Sequence, residues 1–225
     1  MKYHLLQQNI MRKNDVLAAK LRARFIERGT FVVNLLSSPG AGKTTLLEVT
    51  FPRLRDRYRV GALVGDQATD NDARRLERAG APVRQITTGV ECRLDAAMVG
   101  DALDDWEGSQ FDFLVIENVG NLICPAEYDL GEDLRAVLFS VTEGEDKPLK
   151  YPLAFNTAHV VLLTKIDLAE ATGFDRAAAR RSIEQVHPGV PILEISARTG
   201  AGLGRWTALL EEQLAQKTGA PALSR

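Results

Sequence analysis

Histidine and cysteine are scarce in this 225-residue chain: His4, His159 and His187, and Cys92 and Cys124. The histidines do not cluster, which excludes a metal-storage tract, because such tracts need dense ligands. No uninterrupted apolar run approaches the length that spans a bilayer. The opening segment, MKYHLLQQNIMRKND, lacks the apolar core and small-residue cleavage site of a secretory signal. The expected location is therefore the cytoplasm, where a structural disulfide is not expected of two cysteines. Neither charge sign dominates: the net charge is −2, so nucleic acid and anionic membrane are not expected partners. Internal repeats and low-complexity linkers are also missing. What is present is 45% hydrophobic and 26% charged residues in a length that suits one medium α/β domain with short appendages.

Hydrophobic periodicity sets out that organisation. Leu17, Leu21 and Phe25 recur every four residues and predict an amphipathic helix over 14–28, stopped by Gly29. Short aliphatic runs follow at 31–36, 58–64, 83–87, 111–116, 136–141, 158–163 and 191–195. Helical patterns lie between most of them, at 71–79, 94–103 and 174–186. A last helix, 203–216, places Leu203, Trp206, Leu210 and Leu214 on one face. Strands alternating with helices predict a mainly parallel sheet flanked by helices on both faces, with ligand at the strands' carboxyl ends. The division expected is an N-terminal amphipathic helix (1–29), a nucleotide-binding core (30–217) and a flexible tail (218–225).

The most informative stretch is SSPGAGKTT, Ser37–Thr45, between an apolar run and a helical segment. In that context the backbone amides of Gly40, Ala41 and Gly42 can wrap a polyphosphate at a helix N-terminus. Lys43 can reach the β- and γ-phosphates, Thr44 can hold Mg²⁺ and Thr45 completes the loop. Ser37 stands where the general pattern G-x-x-x-x-G-K-[ST] has its first glycine. Acidic groups for Mg²⁺ and the γ-phosphate are expected at neighbouring strand ends, and Asp66 and Glu117 occupy them. Asp70 and Asp72 read either as water-positioning groups or as acids of a helix first turn. Gly120, in ENVG, would let a backbone amide approach the γ-phosphate. No glutamine is evident for orienting water, so slow turnover is expected.

Base selection is read from TKID, Thr164–Asp167, and ISAR, Ile195–Arg198. Asp167 can accept hydrogen bonds from guanine N1–H and N2–H₂, which adenine cannot offer. The Lys165 stem can lie along the base plane, and Ser196, Ala197 and Arg198 fit a loop that contacts guanine O6. In TKID, Thr164 takes the place of the usual Asn of NKxD. Cys92, after a strand and at the start of the 94–103 helix, is expected to have a lowered thiol pKa. Cys124 falls at the same end of the sheet. Two thiols per chain cannot close a tetrahedral site, whereas a symmetric dimer supplies four.

NLLSSPGAGKTTLLE, TTGVECRLDAAMV, ENVGNLICPAEYDLGE, SVTEGEDKPLKYP and VVLLTKIDL together resemble the HypB family, GTPases of the P-loop SIMIBI class that help insert nickel into [NiFe] hydrogenase. The resemblance spans about 14–206. It implies a GTPase that hydrolyses GTP to GDP with Mg²⁺ and forms a GTP-dependent homodimer. It further implies a hydrogenase large subunit or another nickel maturation protein as partner. The Ni²⁺ or Zn²⁺ ligands it implies are Cys92, the histidine that usually follows it, and Cys124, at a dimer interface. Here Arg93 replaces that histidine, and a guanidinium cannot ligate a metal. The related UreG pattern Cys-Pro-His is absent, because Cys124-Pro125 is followed by Ala126. A maturation GTPase for a different metalloenzyme, a P-loop small-molecule kinase and a metal chaperone with a vestigial nucleotide site are the alternatives.

Overall fold

The computed structural model describes residues 2–106 and 110–219, with side chains from Asn9 onward. Among them seven strands form one sheet: β1 (Phe31–Ser37), β2 (Val60–Asp66), β3 (Val83–Thr87), β4 (Phe113–Glu117), β5 (Leu134–Ser140), β6 (Val160–Thr164) and β7 (Ile192–Ile195). Their order is β3-β2-β4-β1-β5-β6-β7 and every pairing is parallel. Central parallel strands are covered on both faces, which is why FVVNLLS and VVLLT read as nearly unbroken apolar runs.

The helices are α1 (Lys2–Arg28), α2 (Lys43–Leu54), α3 (Asn71–Arg78), α4 (Ala96–Asp104), α5 (Lys147–Lys150), α6 (Pro152–Asn156), α7 (Arg176–Val186) and α8 (Leu203–Thr218). Phe31, Val33 and Leu35 of β1 face a core filled by Leu47 and Phe51 of α2 and Trp206 and Leu210 of α8. On the opposite face, Val32 joins Leu21 and Phe25 of α1 and Val99 of α4. Leu36 there joins Phe155 of α6 and Ile183 of α7. A fully buried Leu or Phe contributes roughly 1.5–3 kcal/mol, and an exposed ion pair about 0–1 kcal/mol. These three clusters therefore hold the sheet, not the arginine–carboxylate pairs at its rim.

Element types agree with the sequence expectations, and boundaries move by a few residues. The first helix is the main correction. It begins at Lys2, not at residue 14, because no Gly or Pro interrupts 2–28 and Gln, Met, Lys, Arg and Leu are good helix formers. Asn14 lies within it and joins two other segments: its Nδ2 donates to the Asp129 carbonyl and its Oδ1 accepts from Ala96 N at the start of α4. Strand β5 begins two residues early and contains Arg135, a charge that hid the strand's start. From residue 220 the expected tail lies outside the described residues.

His159 precedes β6 and its Nδ1 accepts from Arg135 N at 2.8 Å. Burial holds its pKa below the usual 6.5, against the attraction of Glu132. The neutral ring thus contributes stability in full above pH 6.5, and that contribution is lost as pH falls toward the folded value. In denaturant titrations, wild type and His159→Asn, whose amide oxygen can accept the same bond, should be closest above pH 7, and wild type should lose stability relative to the variant as pH falls below 6.5. A pH-independent difference would exclude this assignment.

Candidate functional site

Parallel pairing brings the carboxyl ends of β1 and β4 side by side, with Leu35 opposite Glu117. The phosphate-loop segment leaves β1 there. Gly40 and Gly42 take φ values of 73° and 103°, left-handed conformations that a side chain resists, and Gly42 starts α2. This aims the first amides of α2 into the space beyond β1. Lys43 is buried; its Nζ donates to Ser37 Oγ at 3.0 Å, and burial lowers its pKa against the pull of Glu117, Asp72 and Asp66. The serine at the first-glycine position therefore anchors the loop's lysine.

Glu117 is 3% exposed. Its Oε1 accepts from Thr44 Oγ1 at 2.7 Å, and its Oε2 is buried without a partner among the described residues. Burial pushes its pKa up to about 7, opposed by Lys43 and the Thr44 hydroxyl. An orphaned buried carboxylate oxygen next to a threonine hydroxyl fits a hard divalent cation such as Mg²⁺. Asp66, at the end of β2, accepts from the amides of Ala68 and Thr69. Burial raises its pKa, but these amides outweigh it and hold the carboxyl below its usual range. Asp72 meets Arg75, which also bonds Glu48 and Thr45 Oγ1. Asp70 pairs with Arg74 on the first turn of α3. Gly120 abuts the phosphate loop: a Cβ there would lie 3.1 Å from Pro39 Cα.

Beside the loop is a cavity of about 250 Å³, bounded by Ala41, Thr45, Lys165, Asp167, Ala197 and Arg198. Lys165 has φ 57° and its Nζ donates to the Gly40 carbonyl. Thr164 Oγ1 donates to the Ala41 carbonyl at 2.8 Å, so the residue replacing the usual Asn still ties this loop to the phosphate loop. Asp167 accepts from Ser196 Oγ at 2.6 Å and pairs with Arg198, and the Ser196 bond holds its pKa down. The structure thus brings TKID and ISAR together around one cavity. Sequence reasoning missed Glu143. It is largely buried with one oxygen unpartnered among the described residues, and burial raises its pKa against the opposing influence of Lys147 and of Ser38 in the phosphate loop.

Cys92 and Cys124 also come near one another within one chain. The neighbouring Cys92 thiol, followed by burial, raises the Cys124 pKa, and Asn121 and Arg93 oppose it. Cys92 does not start the helix, as the sequence had suggested. Asp95 caps α4, accepting from Met98 N, so a carboxylate stands between Cys92 and the helix amides. Arg93 pairs with Glu91 and lies 3.9 Å over the Tyr128 ring. No group of three or more His, Cys, Asp or Glu suited to a metal exists among the described residues. Each chain therefore offers two soft donors, a donor set that suits Ni²⁺ or Zn²⁺ only with ligands from elsewhere.

The family model for the CobW/HypB/UreG nucleotide-binding domain matches residues 31–194. Hydrogenase maturation factor HypB of Azotobacter vinelandii is 49% identical over 211 residues, covering 92% of this chain and 69% of that protein. The chain belongs to the HypB family of hydrogenase maturation factors. HypB of Escherichia coli K12 is 46% identical over 205 residues, 91% of this chain and 71% of that protein. A crystal structure of HypB from Helicobacter pylori in complex with nickel superposes with a TM-score of 0.86 at 38% identity, covering 95% of this chain and all of that one. HypB from Archaeoglobus fulgidus gives 0.84 at 40% identity, covering 90% and 99%. The parallel P-loop fold is shared with these HypB structures, and no helix among the described residues is long and apolar enough to cross a membrane.

The raised Glu117 pKa has a definite sign. A folded value above the unfolded 4.5 favours the protonated carboxyl, so the stability it contributes is full below pH 4.5 and lost as pH rises through about 7. In nucleotide-free, chelator-treated protein, Glu117→Gln should be the more stable form at pH 8–9, by on the order of 2 kcal/mol. The advantage should vanish below pH 5. An advantage independent of pH would show that Glu117 is not the titrating group.

Proposed function

We propose that this HypB-family chain is a cytoplasmic GTPase whose nucleotide state controls a homodimer that carries nickel for hydrogenase maturation. The observation that carries this reading is the joining of two sites by one strand end. Glu117 closes the phosphate site, and the segment that follows it leads directly to Cys124. Gly40–Thr45 would cradle the phosphates, with Lys43 on the β- and γ-oxygens. Thr44 and Glu117, with Asp66 directly or through water, would hold Mg²⁺. Bound there, Mg²⁺ neutralises charge that develops on the phosphates during hydrolysis. Asp72, whose charge acts on Lys43, is the candidate for orienting the attacking water. Lys165 would lie along guanine while Asp167 accepts its N1–H and N2–H₂. Ser196 keeps that carboxylate aimed, Ala197 lines the pocket, and Arg198, largely exposed, gives up its pairing to the base.

Nickel is cargo in this scheme, held by Cys92 and Cys124 and completed by the same pair from a second copy. Zn²⁺ suits the same thiolates. The proposed partners are the hydrogenase large subunit or another nickel maturation protein. A maturation role toward a second enzyme is a further reading. It rests on Arg93 in the place of the family histidine and on relatives named hydrogenase/urease maturation factor HypB, such as that of Helicobacter hepaticus at 40% identity. The domain division proposed is helix 1–29, GTPase core 30–217 and tail.

Two variants test the nucleotide half. Asp167→Asn should lower GTP affinity by one to two orders of magnitude and raise that for xanthosine triphosphate, read by fluorescent-nucleotide competition. Unchanged selectivity would contradict the base assignment. Lys43→Ala should cut GTP turnover at least about 100-fold and abolish GTP-induced dimerisation in light scattering. Retention of both would favour a vestigial nucleotide site.

A further inference from the structure

Four buried polar side chains cross the sheet on one face, in the seam between the two apolar clusters there. They are Asn118 after β4, Asn34 in β1, Glu132 before β5 and Arg135 in β5, exposed by 1%, 0%, 8% and 7%. Asn118 Nδ2 donates to Asn34 Oδ1 at 3.3 Å, and Asn34 Nδ2 donates to Glu132 Oε1 at 3.2 Å. Arg135 Nε donates to the same Glu132 oxygen at 2.8 Å. The two ends of this chain of bonds reach the two thiol loops. At one end, Asn118 Oδ1 accepts from Leu94 N, two residues after Cys92. At the other, the Arg135 guanidinium donates to the carbonyls of Ala126 and Tyr128, on the segment that starts with Cys124.

Apolar side chains would fill this seam without the cost of desolvating an ion pair and two amides. The network's connections distinguish it from filler. Asn118 Oδ1 accepts a second amide, that of Val119, at 3.0 Å. Glu117 lies immediately before Asn118, and Gly120, packed on Pro39, lies two residues after it. A single oxygen is thus shared between the backbone that approaches the phosphate loop and the backbone that carries Cys92. Val119–Gly120 cannot reorient without disturbing the Leu94 bond. We propose that Asn118, acting through Asn34 and the Glu132–Arg135 pair, is the positioning residue that couples nucleotide state to the geometry of the Cys92–Cys124 pair. This rests on the nucleotide-controlled metal site proposed above and names the residues that transmit the control.

Spatial connection does not measure coupling, so the test measures it directly. The chain has two cysteines, and a maleimide therefore reads that pair without background. Full-length protein is loaded with GDP or a non-hydrolysable GTP analogue, each with Mg²⁺. Two quantities are then measured: the thiol alkylation rate and the Ni²⁺ dissociation constant. In wild type both should differ between nucleotides by at least about 5-fold, the lower end of typical coupling. Asn118→Ala should bring both ratios to within about 2-fold of one. Asn34→Leu, close in size, severs the network without opening a cavity and should do the same where Asn118→Ala folds poorly. Nucleotide affinity and Ni²⁺ affinity without nucleotide should move less than about 3-fold in either variant. Wild-type ratios retained in a folded variant would overturn the relay alone. So would an equal loss of Ni²⁺ affinity in every nucleotide state, which marks a merely structural role. Wild-type ratios of one would overturn the nucleotide-controlled metal site itself.

Discussion

A buried ammonium and a buried carboxylate, Lys43 and Glu117, face one another across the carboxyl ends of two adjacent central strands. Each is driven toward neutrality by burial and drawn back toward charge by the other. Neither would sit there for stability, because removing two ions from water costs more than their attraction in a low-dielectric site returns. The arrangement makes sense as preorganisation for a polyphosphate and its cation, whose charges would replace the missing solvent. It also requires an all-parallel sheet, since only parallel neighbours place both strand ends, and the loops that leave them, on the same side.

From that junction the rest of the site follows by short connections. Ser37 holds Lys43 from the last position of β1. Thr164 and Lys165 hold the carbonyls of Ala41 and Gly40 from the end of β6. The TKID loop and the phosphate loop are therefore bonded together before any ligand arrives, which reduces the ordering cost of binding. The thiol pair belongs to the other side of the junction. Its loops are held mainly by side chains and by one isolated backbone bridge, Ser37 to Asn121, and such connections can change with far less disturbance of the core.

Arg93 shows how a departure from a family pattern is absorbed physically. A guanidinium in a ligand position would repel a cation, but this one is drawn aside by Glu91 and stacks on Tyr128. Stacking and pairing together compensate part of its desolvation. The two thiols stay near one another, and the donor set falls to two per chain.

The motifs SSPGAGKTT, TKID and ISAR were legible because each works through local backbone geometry that a handful of adjacent residues determines. The strands were legible because burial on both faces leaves long apolar runs. Glu143, Asn118 and Asn34 were not legible as site residues, because a single buried polar residue in a sequence carries no sign of its partner. The length of α1 was hidden for a related reason: the polar stretch Arg12–Asp15 interrupts the apolar spacing between Ile10 and Leu17, and helix propensity alone carries the pattern across it. The sequence by itself determined the class of ligand, a nucleotide, since a phosphate loop is written in consecutive residues. Only the tertiary structure decided that Cys92 and Cys124 approach one another and that one amide links their loops to Glu117. Contacts between residues 24 to 84 positions apart depend on strand order and register, which no local pattern encodes.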